Sequence, residues 1–273
     1  MKRIIYFFVI SLLAISCSQN NKQQAFDEIE RVKLLIESQD FGTAKDILDT
    51  LKANYKEEVD VRRAILELSQ KIEYAEAERN MNYTDSILPL LQEQLETILP
   101  QFTYKKNSEY EDTGYYIDKY NPSLDTHNQF IKATVNEHGD IALVSGIVGG
   151  AIKHTQVKVS DKEGNYAETE VVADEGMNYS FKDVKGRTYQ TVTFAKGKDN
   201  GVLMFIYNYS DNNLFLERLG GKNTAPVTIS GAEKQSIRRL MELSLLLKEI
   251  EHTQKEYTKA KTRIEYFRTK TNN

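Results

Sequence analysis

The side chains that could do chemistry in this sequence are scattered. The four histidines, His127, His138, His154 and His252, have no second histidine, no cysteine and no carboxylate at metal-ligand spacing. The H-E-x-x-H, EF-hand, P-loop, G-x-G-x-x-G and G-x-S-x-G patterns are absent from the sequence. We therefore predict no catalytic residue, no metal site and no cofactor, and a protein that is not an enzyme.

One segment does combine aromatic and acidic side chains. Tyrosines recur there with a central acid, and the candidate ligand face is Tyr110, Tyr115, Tyr116, Tyr120 and Asp118. Aromatic faces beside carboxylates are typical of grooves that bind glycans or peptides. Alternating tyrosines also cover a core with their polar tips at the surface. Both interpretations remain open from the sequence.

A glycine-rich stretch runs from Gly146 to Gly150, after an apolar run at 141–144. A phosphate cradle would need a helix to follow, with its N-terminus facing the anion. Residues from Ala151 onward instead alternate as a strand does, so we predict a bulge or a corner between strands.

The first sixteen residues predict a signal peptide. A basic start at Lys2 and Arg3 precedes an apolar run from Ile4 to Ile15, which ends in small residues. That run is shorter than the ~20 residues that span a bilayer, so removal is expected.

The residues before the only cysteine, Leu13-Ala14-Ile15-Ser16-Cys17, resemble the lipobox of bacterial lipoproteins. The pattern departs slightly at Ala14, where leucine is commonest. The resemblance implies lipidation at Cys17 and a membrane as one partner. By analogy with other lipoproteins, the non-acidic Ser18 implies the outer membrane, and the lack of a following acidic cluster implies its periplasmic face. The alternative is an ordinary secretory signal.

The charge of the chain excludes one class of partner. There are 36 basic against 40 acidic residues, and losing Lys2 and Arg3 would change the formal charge from -4 to -6. Interspersed charges of both signs offer no basic surface for nucleic acid. No disulfide can form within a chain that has one cysteine.

Changes in periodicity divide the mature chain into helices, strands and helices. We predict a signal peptide at 1–16, a lipidated linker at 17–24, a helical region at 25–100, an antiparallel β domain at 101–230 and a long helix at 231–273. The predicted class is α+β. A helical hairpin and long antiparallel coiled-coil-like helices flank an inserted β-sandwich or barrel.

The N-terminal helices carry two local predictions. Residues 28–55 form a helix, a turn with Phe41 and a second helix, which resembles one tetratricopeptide hairpin, although no second repeat is evident. The next helix should break or kink near residues 80–85, with a further helix from Ser86 to Leu99 that has Pro89 in its first turn.

The C-terminal helix has coiled-coil spacing with Gln254 and Lys261 at inward positions, and we expect it to pair with residues 59–99. Self-association of this helix is the alternative. In the β region, predicted turns recur about every ten residues, at 137–140, 162–165, 184–187, 199–201 and 210–213, and the first three contain Gly139, Gly164 and Gly186. Asn200-Gly201 is the clearest hairpin turn, followed by a strand at 202–209.

These features together predict an envelope lipoprotein that acts as a non-enzymatic interaction or scaffold module and binds another envelope protein. A glycan-binding lipoprotein that uses the tyrosine-rich segment is the second hypothesis.

Overall fold

The computed structural model describes residues 22–106, 113–149, 153–173, 176–222 and 224–271. The predicted signal peptide, Cys17 and Tyr110 lie outside these residues. The fold is α+β, with long helices and antiparallel sheets, as the sequence predicts. The chain forms two compact units, one from residues up to 86 together with those from 255, the other from residues 87–254.

The first unit is helical. Helix α1 covers residues 22–37, α2 is Phe41–Asn54, and α3 and α5, which are Val59–Ile98 and Gly231–Thr271, each contribute part of their length. The predicted helical hairpin is confirmed, and Asp40 caps α2 by accepting a hydrogen bond from the Thr43 amide at 3.1 Å. The core is apolar, with Ala25, Ile29, Val32, Ile36, Phe41, Ala44, Leu48, Leu51, Val61, Ile65, Leu68 and Ile72.

Helix α3 is continuous, so the predicted break near residues 80–85 is wrong. Thr84 is buried, and its hydroxyl donates back to carbonyls of the preceding turn, at 2.9 Å from Asn80 O and 3.0 Å from Met81 O. These bonds satisfy the hydroxyl within the helix, so Thr84 is buried there without an unpaired polar group. Pro89 lies inside the helix rather than at a new start.

Helix α5 confirms the long C-terminal helix, but its buried positions differ from the predicted ones. Gln254 and Lys261 are exposed, whereas Thr253 and Ala260 are buried. Threonine and alanine are small enough to pack closely against a neighbouring helix, and the longer polar side chains turn to solvent. In the first unit, Tyr74 of α3 contacts Phe267 of α5 with ring centres 6.1 Å apart.

The second unit contains ten antiparallel strands in two sheets. The six-stranded sheet has the order β1-β2-β3-β4-β8-β7, with strands Phe102–Lys105, Tyr115–Asp118, Gln129–Asn136, Ile141–Gly149, Thr188–Phe194 and Asn178–Lys182. The four-stranded sheet has the order β10-β9-β5-β6, with strands Val227–Thr228, Phe215–Leu219, Gln156–Ser160 and Tyr166–Glu168. A 3-10 turn, Leu99–Gln101, precedes β1.

Buried residues of both sheets share one core with the N-terminal part of α5. Ile131 and Leu143 come from the six-stranded sheet, Val157 and Leu216 from the other, and Leu240 from the helix. Two separate sheets over one core fit the sandwich alternative better than the barrel. Three predicted hairpin turns are present, with positive φ at Gly139, Gly164 and Gly186.

The prediction that Asn200-Gly201 is a hairpin turn followed by a strand at 202–209 is wrong. Both residues have positive φ, 45° and 85°, but they lead into helix α4, Val202–Asn208, rather than a strand. Val202, Leu203 and Ile206 are buried at helical spacing. A short apolar run fits either period, and contact with the core decides in favour of the helix.

The prediction of a corner within the glycine-rich stretch is wrong for its described part. Strand β4 runs through to Gly149, and Gly146 pairs with Phe130 on one side and Thr191 on the other. A β-carbon at position 146 would lie 2.5 Å from the Phe130 ring. Glycine is therefore required there for close ring packing, and Gly150 lies outside the described residues.

Candidate functional site

The predicted tyrosines that the structure describes, Tyr115, Tyr116 and Tyr120, do not all share one face of the sheet. Tyr115 and Tyr116 are consecutive residues of β2, so their side chains point to opposite sides of the sheet. The Tyr116 ring packs against the core of the second unit and lies 5.2 Å from the Tyr104 ring. Tyr120 follows the strand, with its ring centre 6.4 Å from that of His127. The strand geometry separates the rings that the sequence groups together.

Asp118, the acid of that segment, is engaged in a salt bridge. Its carboxylate is 1% exposed and accepts hydrogen bonds from Arg239 Nε at 2.6 Å and Nη2 at 2.8 Å. The Tyr120 amide donates to the same carboxylate at 2.8 Å. The hydrogen bonds that Arg239 donates to this carboxylate raise the pKa of Arg239. This side chain therefore ties β2 to α5.

Tyr104, which the sequence did not single out, supports the neighbouring hairpin. Its hydroxyl donates to the carboxylate of Glu137. That hydrogen bond, more than burial, raises the pKa of Tyr104 to about 12 and lowers the pKa of Glu137. The tyrosine stays protonated at neutral pH and serves as a donor.

Sequence reasoning missed a cluster of polar side chains between the two sheets, which we call the interior polar cluster: Ser145, His154, Gln190 and Arg218. Each is at most 3% exposed. His154 Nδ1 lies 2.8 Å from Gln190 Oε1, and His154 Nε2 lies 3.1 Å from Ser145 Oγ. Arg218 Nε donates to Ser145 Oγ at 3.1 Å.

The protonation of His154 follows from its neighbours. The Gln190 amide nitrogen donates to His154 O at 2.9 Å and to Asn178 Oδ1 at 2.7 Å, so Gln190 Oε1 faces the ring as an acceptor. His154 Nδ1 must therefore carry the hydrogen, and Nε2 accepts the hydrogen bond from the Ser145 hydroxyl. The hydrogen bonds run in one direction, from Arg218 through Ser145 and His154 to Gln190.

This order of residues looks like a serine-histidine-acid triad with glutamine in the place of the acid. Its chemistry differs. Burial, reinforced by the charge of Arg218, lowers the pKa of His154 to about 4, which makes the imidazole a weak base. Glutamine carries no charge to stabilise an imidazolium, and Arg218 occupies the Ser145 oxygen. The interior polar cluster therefore has no activated nucleophile.

Arg218 joins the two sheets. Besides Ser145, its guanidinium donates to Gln129 Oε1 at 3.2 Å, Phe130 O at 3.2 Å and Gly146 O at 3.0 Å. Burial lowers its pKa to about 10, so the group stays charged at neutral pH. One side chain from β9 thus holds β3 and β4 through four hydrogen bonds. The remaining histidines, His127, His138 and His252, are exposed.

The outer face of the six-stranded sheet carries a group of three neighbouring rings. We call this group the aromatic row: Tyr179, Phe181 and Tyr189. Phe181 and Tyr189 are directly opposite in β7 and β8 and stack with centres 4.8 Å apart and planes at 9°. Tyr179 lies 5.8 Å from Phe181. Tyr179 is 61% exposed and Phe181 46% exposed. The Arg187 guanidinium lies 5.5 Å from the Tyr189 ring.

The aromatic row follows from the sequence pattern. Aromatics at positions 179 and 181 share one face of a strand, and the tight turn at Gly186 brings Tyr189 opposite Phe181. The alternation of aromatic and polar residues around a glycine turn was the available indication.

Within the described parts of the chain, no group of histidine, cysteine, aspartate and glutamate side chains is arranged to hold a metal ion. None of the described helices is long and apolar enough to cross a membrane. Comparison of the chain with protein-family models, with curated proteins and with solved structures returned no match.

Proposed function

We propose that this chain is a bacterial envelope lipoprotein, held by a lipid on Cys17 at the periplasmic face of the outer membrane, whose folded part binds another envelope protein without catalysing a reaction. The basic start, the short apolar run and the lipobox-like residues support the anchor. The β part is proposed to be a sandwich that presents the binding surface.

The aromatic row carries this proposal. Exposed rings that touch one another form a continuous apolar surface, which water solvates poorly. Such patches on soluble domains are typical of sites that bind other macromolecules. Tyrosine and phenylalanine are enriched in the cores of protein interfaces, and an arginine beside them, here Arg187, is also typical.

The interior polar cluster supports a role without catalysis. Its serine and histidine are the residues that a hydrolase would need, and both have their hydrogen-bonding groups engaged inside the core. The acid of the predicted tyrosine segment is likewise engaged by Arg239. The aromatic row, by contrast, is a group of neighbouring rings with two members exposed, and internal packing does not explain it.

Photo-cross-linking in living cells tests the protein-binding role. A photoreactive phenylalanine analogue is placed at Tyr179 in the full chain and, as a matched control, at Tyr166, which is 59% exposed on the four-stranded sheet. We expect position 179 to give cross-links to another envelope protein and position 166 to give none. Equal yields from the two positions, or none from position 179, would reject the aromatic row as a binding surface.

A separate measurement tests the anchor. Cells are labelled with an alkyne-bearing fatty acid, and the protein is isolated and examined for the label. The wild-type chain should carry the lipid and sediment with membranes, whereas Cys17→Ser should lose both properties. An unlabelled wild-type chain in the soluble fraction would contradict the lipoprotein assignment.

A further inference from the structure

Strand β7 is the last strand of the six-stranded sheet, with β8 as its one paired neighbour among the described residues. The Thr193 amide donates to Met177 O at 2.7 Å, and the Asp183 amide donates to Arg187 O at 3.0 Å. Residues alternate in an antiparallel ladder, so the main-chain groups of Tyr179 and Phe181 also face β8.

The same alternation directs three residues of β7 the other way. The N–H and C=O groups of Asn178, Ser180 and Lys182 point away from β8, toward the open edge of the sheet. Ser180 and Lys182 are exposed. Proteins usually protect such an edge with proline, a bulge or inward-pointing charges, because it can pair with another strand. Strand β7 contains no proline, its pairing with β8 is regular over five residues, and Lys182 at its end is its one charged side chain.

We propose that two copies of this chain pair through β7, antiparallel, about a two-fold axis at Ser180. In this register Ser180 faces Ser180 of the partner copy, and Asn178 faces Lys182. These are the three residues whose hydrogen-bonding groups are directed outward, so all of them find partners in one register. In a register shifted by one residue, the outward N–H and C=O groups of one copy would lie opposite residues of the other copy whose main-chain groups face β8. Those hydrogen bonds could not form.

The side chains agree with this register. Tyr179 would lie opposite Phe181 of the partner copy, on the face that already carries the aromatic row, and aromatic cross-strand pairs favour strand association. Lys182 would lie opposite Asn178, so the two lysines do not face each other. This complementarity to itself favours a second copy over an unrelated strand as the occupant of the edge.

The pairing does not require the other envelope protein proposed above, because its hydrogen bonds come from main-chain groups of β7 in the two copies. It would join two aromatic rows into one surface of six rings. A junction this short buries less than the ~1,200 Å² of a typical stable interface, so we expect a dissociation constant in the micromolar range. Anchoring both copies to one membrane would raise their effective concentration and favour the pair.

Cysteine cross-linking in the envelope tests the register. Residues facing each other in a hydrogen-bonded antiparallel pair have Cα atoms about 5.5 Å apart, within the range that a disulfide spans. Ser180→Cys in the full chain should therefore give a covalent dimer after mild oxidation. In Lys182→Cys the two cysteines would be about 14 Å apart along the strands. We expect the dimer yield at position 180 to be at least about tenfold higher. The wild-type chain reports any dimer formed through Cys17.

A second variant tests the hydrogen bonds. The Ser180 N–H does not bond to β8, so Ser180→Pro removes an outward donor while leaving the internal ladder complete. Sedimentation of the full chain in detergent should show the dissociation constant raised about tenfold or more, and Ser180→Thr, which keeps the N–H, should resemble the wild type. If Ser180→Pro fails to fold, the cysteine pair decides.

The outcomes separate this inference from the proposed function. Equal cross-linking at positions 180 and 182, or a wild-type chain that stays monomeric at about 0.5 mM, would overturn the pairing. Cross-links from position 179 to another envelope protein would still support the proposed function in that case. Dimers together with no heterologous cross-links would support the pairing and reject the protein partner.

Discussion

The two faces of strand β8 differ in a way that separates structure from function. Gln190 points inward and belongs to the interior polar cluster, and the adjacent Tyr189 points outward and belongs to the aromatic row. Polar groups are thus buried on the inner face, whereas the outer face carries the half-buried Tyr189 ring beside the exposed Tyr179 and Phe181 rings of β7. The buried groups are matched by hydrogen bonds, whereas the exposed rings meet solvent.

This contrast shows where a functional surface should be sought in this molecule. Residue types that suggest catalysis are explained when their hydrogen-bonding groups have partners inside the core. Among the described residues that are not exposed, no buried side-chain nitrogen or oxygen lacks a partner. An exposed group of rings has no such internal explanation, and it is therefore the better candidate for binding.

Replacing Arg218 should have the largest effect. Arg218→Met would leave Ser145 Oγ without its donor and remove the additional hydrogen bonds that the guanidinium donates to Gln129 Oε1 and to two carbonyls of the β3–β4 ladder, and we expect the free energy of unfolding to fall by about 3 kcal/mol or more. Urea denaturation followed by circular dichroism measures this. Arg187→Met, at an exposed arginine, should change stability by less than about 0.5 kcal/mol. Similar losses in both variants would contradict the structural role of the buried guanidinium.

His154 should make stability depend on pH. Its pKa in the folded protein is lowered from 6.5 to about 4, so the unfolded chain binds the proton first as the pH falls. Stability is therefore lost between pH 6.5 and 4, by about 3 kcal/mol over the whole interval. Urea denaturation at a series of pH values measures this: the free energy of unfolding should fall more steeply with decreasing pH in the wild type than in His154→Gln. Parallel pH profiles would show that His154 is not held neutral by the core.

Asp118 distinguishes a structural tie from a ligand site. Asp118→Asn keeps the shape of the side chain but removes the charge that Arg239 binds, and a loss of about 2 kcal/mol is expected because Arg239 is partly exposed and regains water. Glu242→Gln, at the exposed end of an i,i+4 pair, is the matched control and should have little effect. A variant of unchanged stability with reduced glycan binding would restore the tyrosine segment as a site.

The aromatic row should show the smallest effect on stability. Tyr179→Ser removes an exposed ring, and the free energy of unfolding should change by about 0.5 kcal/mol or less. Binding of the partner identified by cross-linking should weaken about tenfold or more. Tyr166→Ser serves as the equally exposed control. Large destabilisation by Tyr179→Ser with unchanged binding would reverse the contrast between the two faces.

The spacing of apolar residues correctly predicted the secondary-structure elements whose pattern extends over many residues. The helical hairpin, the long C-terminal helix and three hairpin turns follow from patterns carried by many residues, and all are present. The apolar run 202–208 was assigned as strand because seven residues fit either period. Its contact with the core, which the sequence does not display, makes it helical.

The interior polar cluster could not be predicted for a different reason. Ser145 lies on β4, His154 before β5, Gln190 on β8 and Arg218 on β9, so their proximity depends on the packing of two sheets. In the sequence, His154 has no histidine, cysteine or carboxylate near it at metal-ligand spacing, so nothing singles it out. The tyrosine segment shows the opposite case, since Tyr115 and Tyr116 are adjacent in the sequence and the alternation of the strand places them on opposite sides of the sheet.

Four contacts join α5 to residues in or next to strands β2 and β3 of the six-stranded sheet. These contacts set the order in which the second unit can fold. Glu233 accepts from the Ile131 amide, Ser236 donates to Tyr120 O, Arg239 binds Asp118, and Ser244 donates to Gly139 O. Each joins residues more than 100 positions apart in the chain. The second unit therefore cannot form all its native contacts before α5 has been synthesised. Contacts between residues so far apart in the chain predict slow folding. For a chain that crosses a membrane unfolded, as the proposed signal peptide requires, this delay keeps it competent for export.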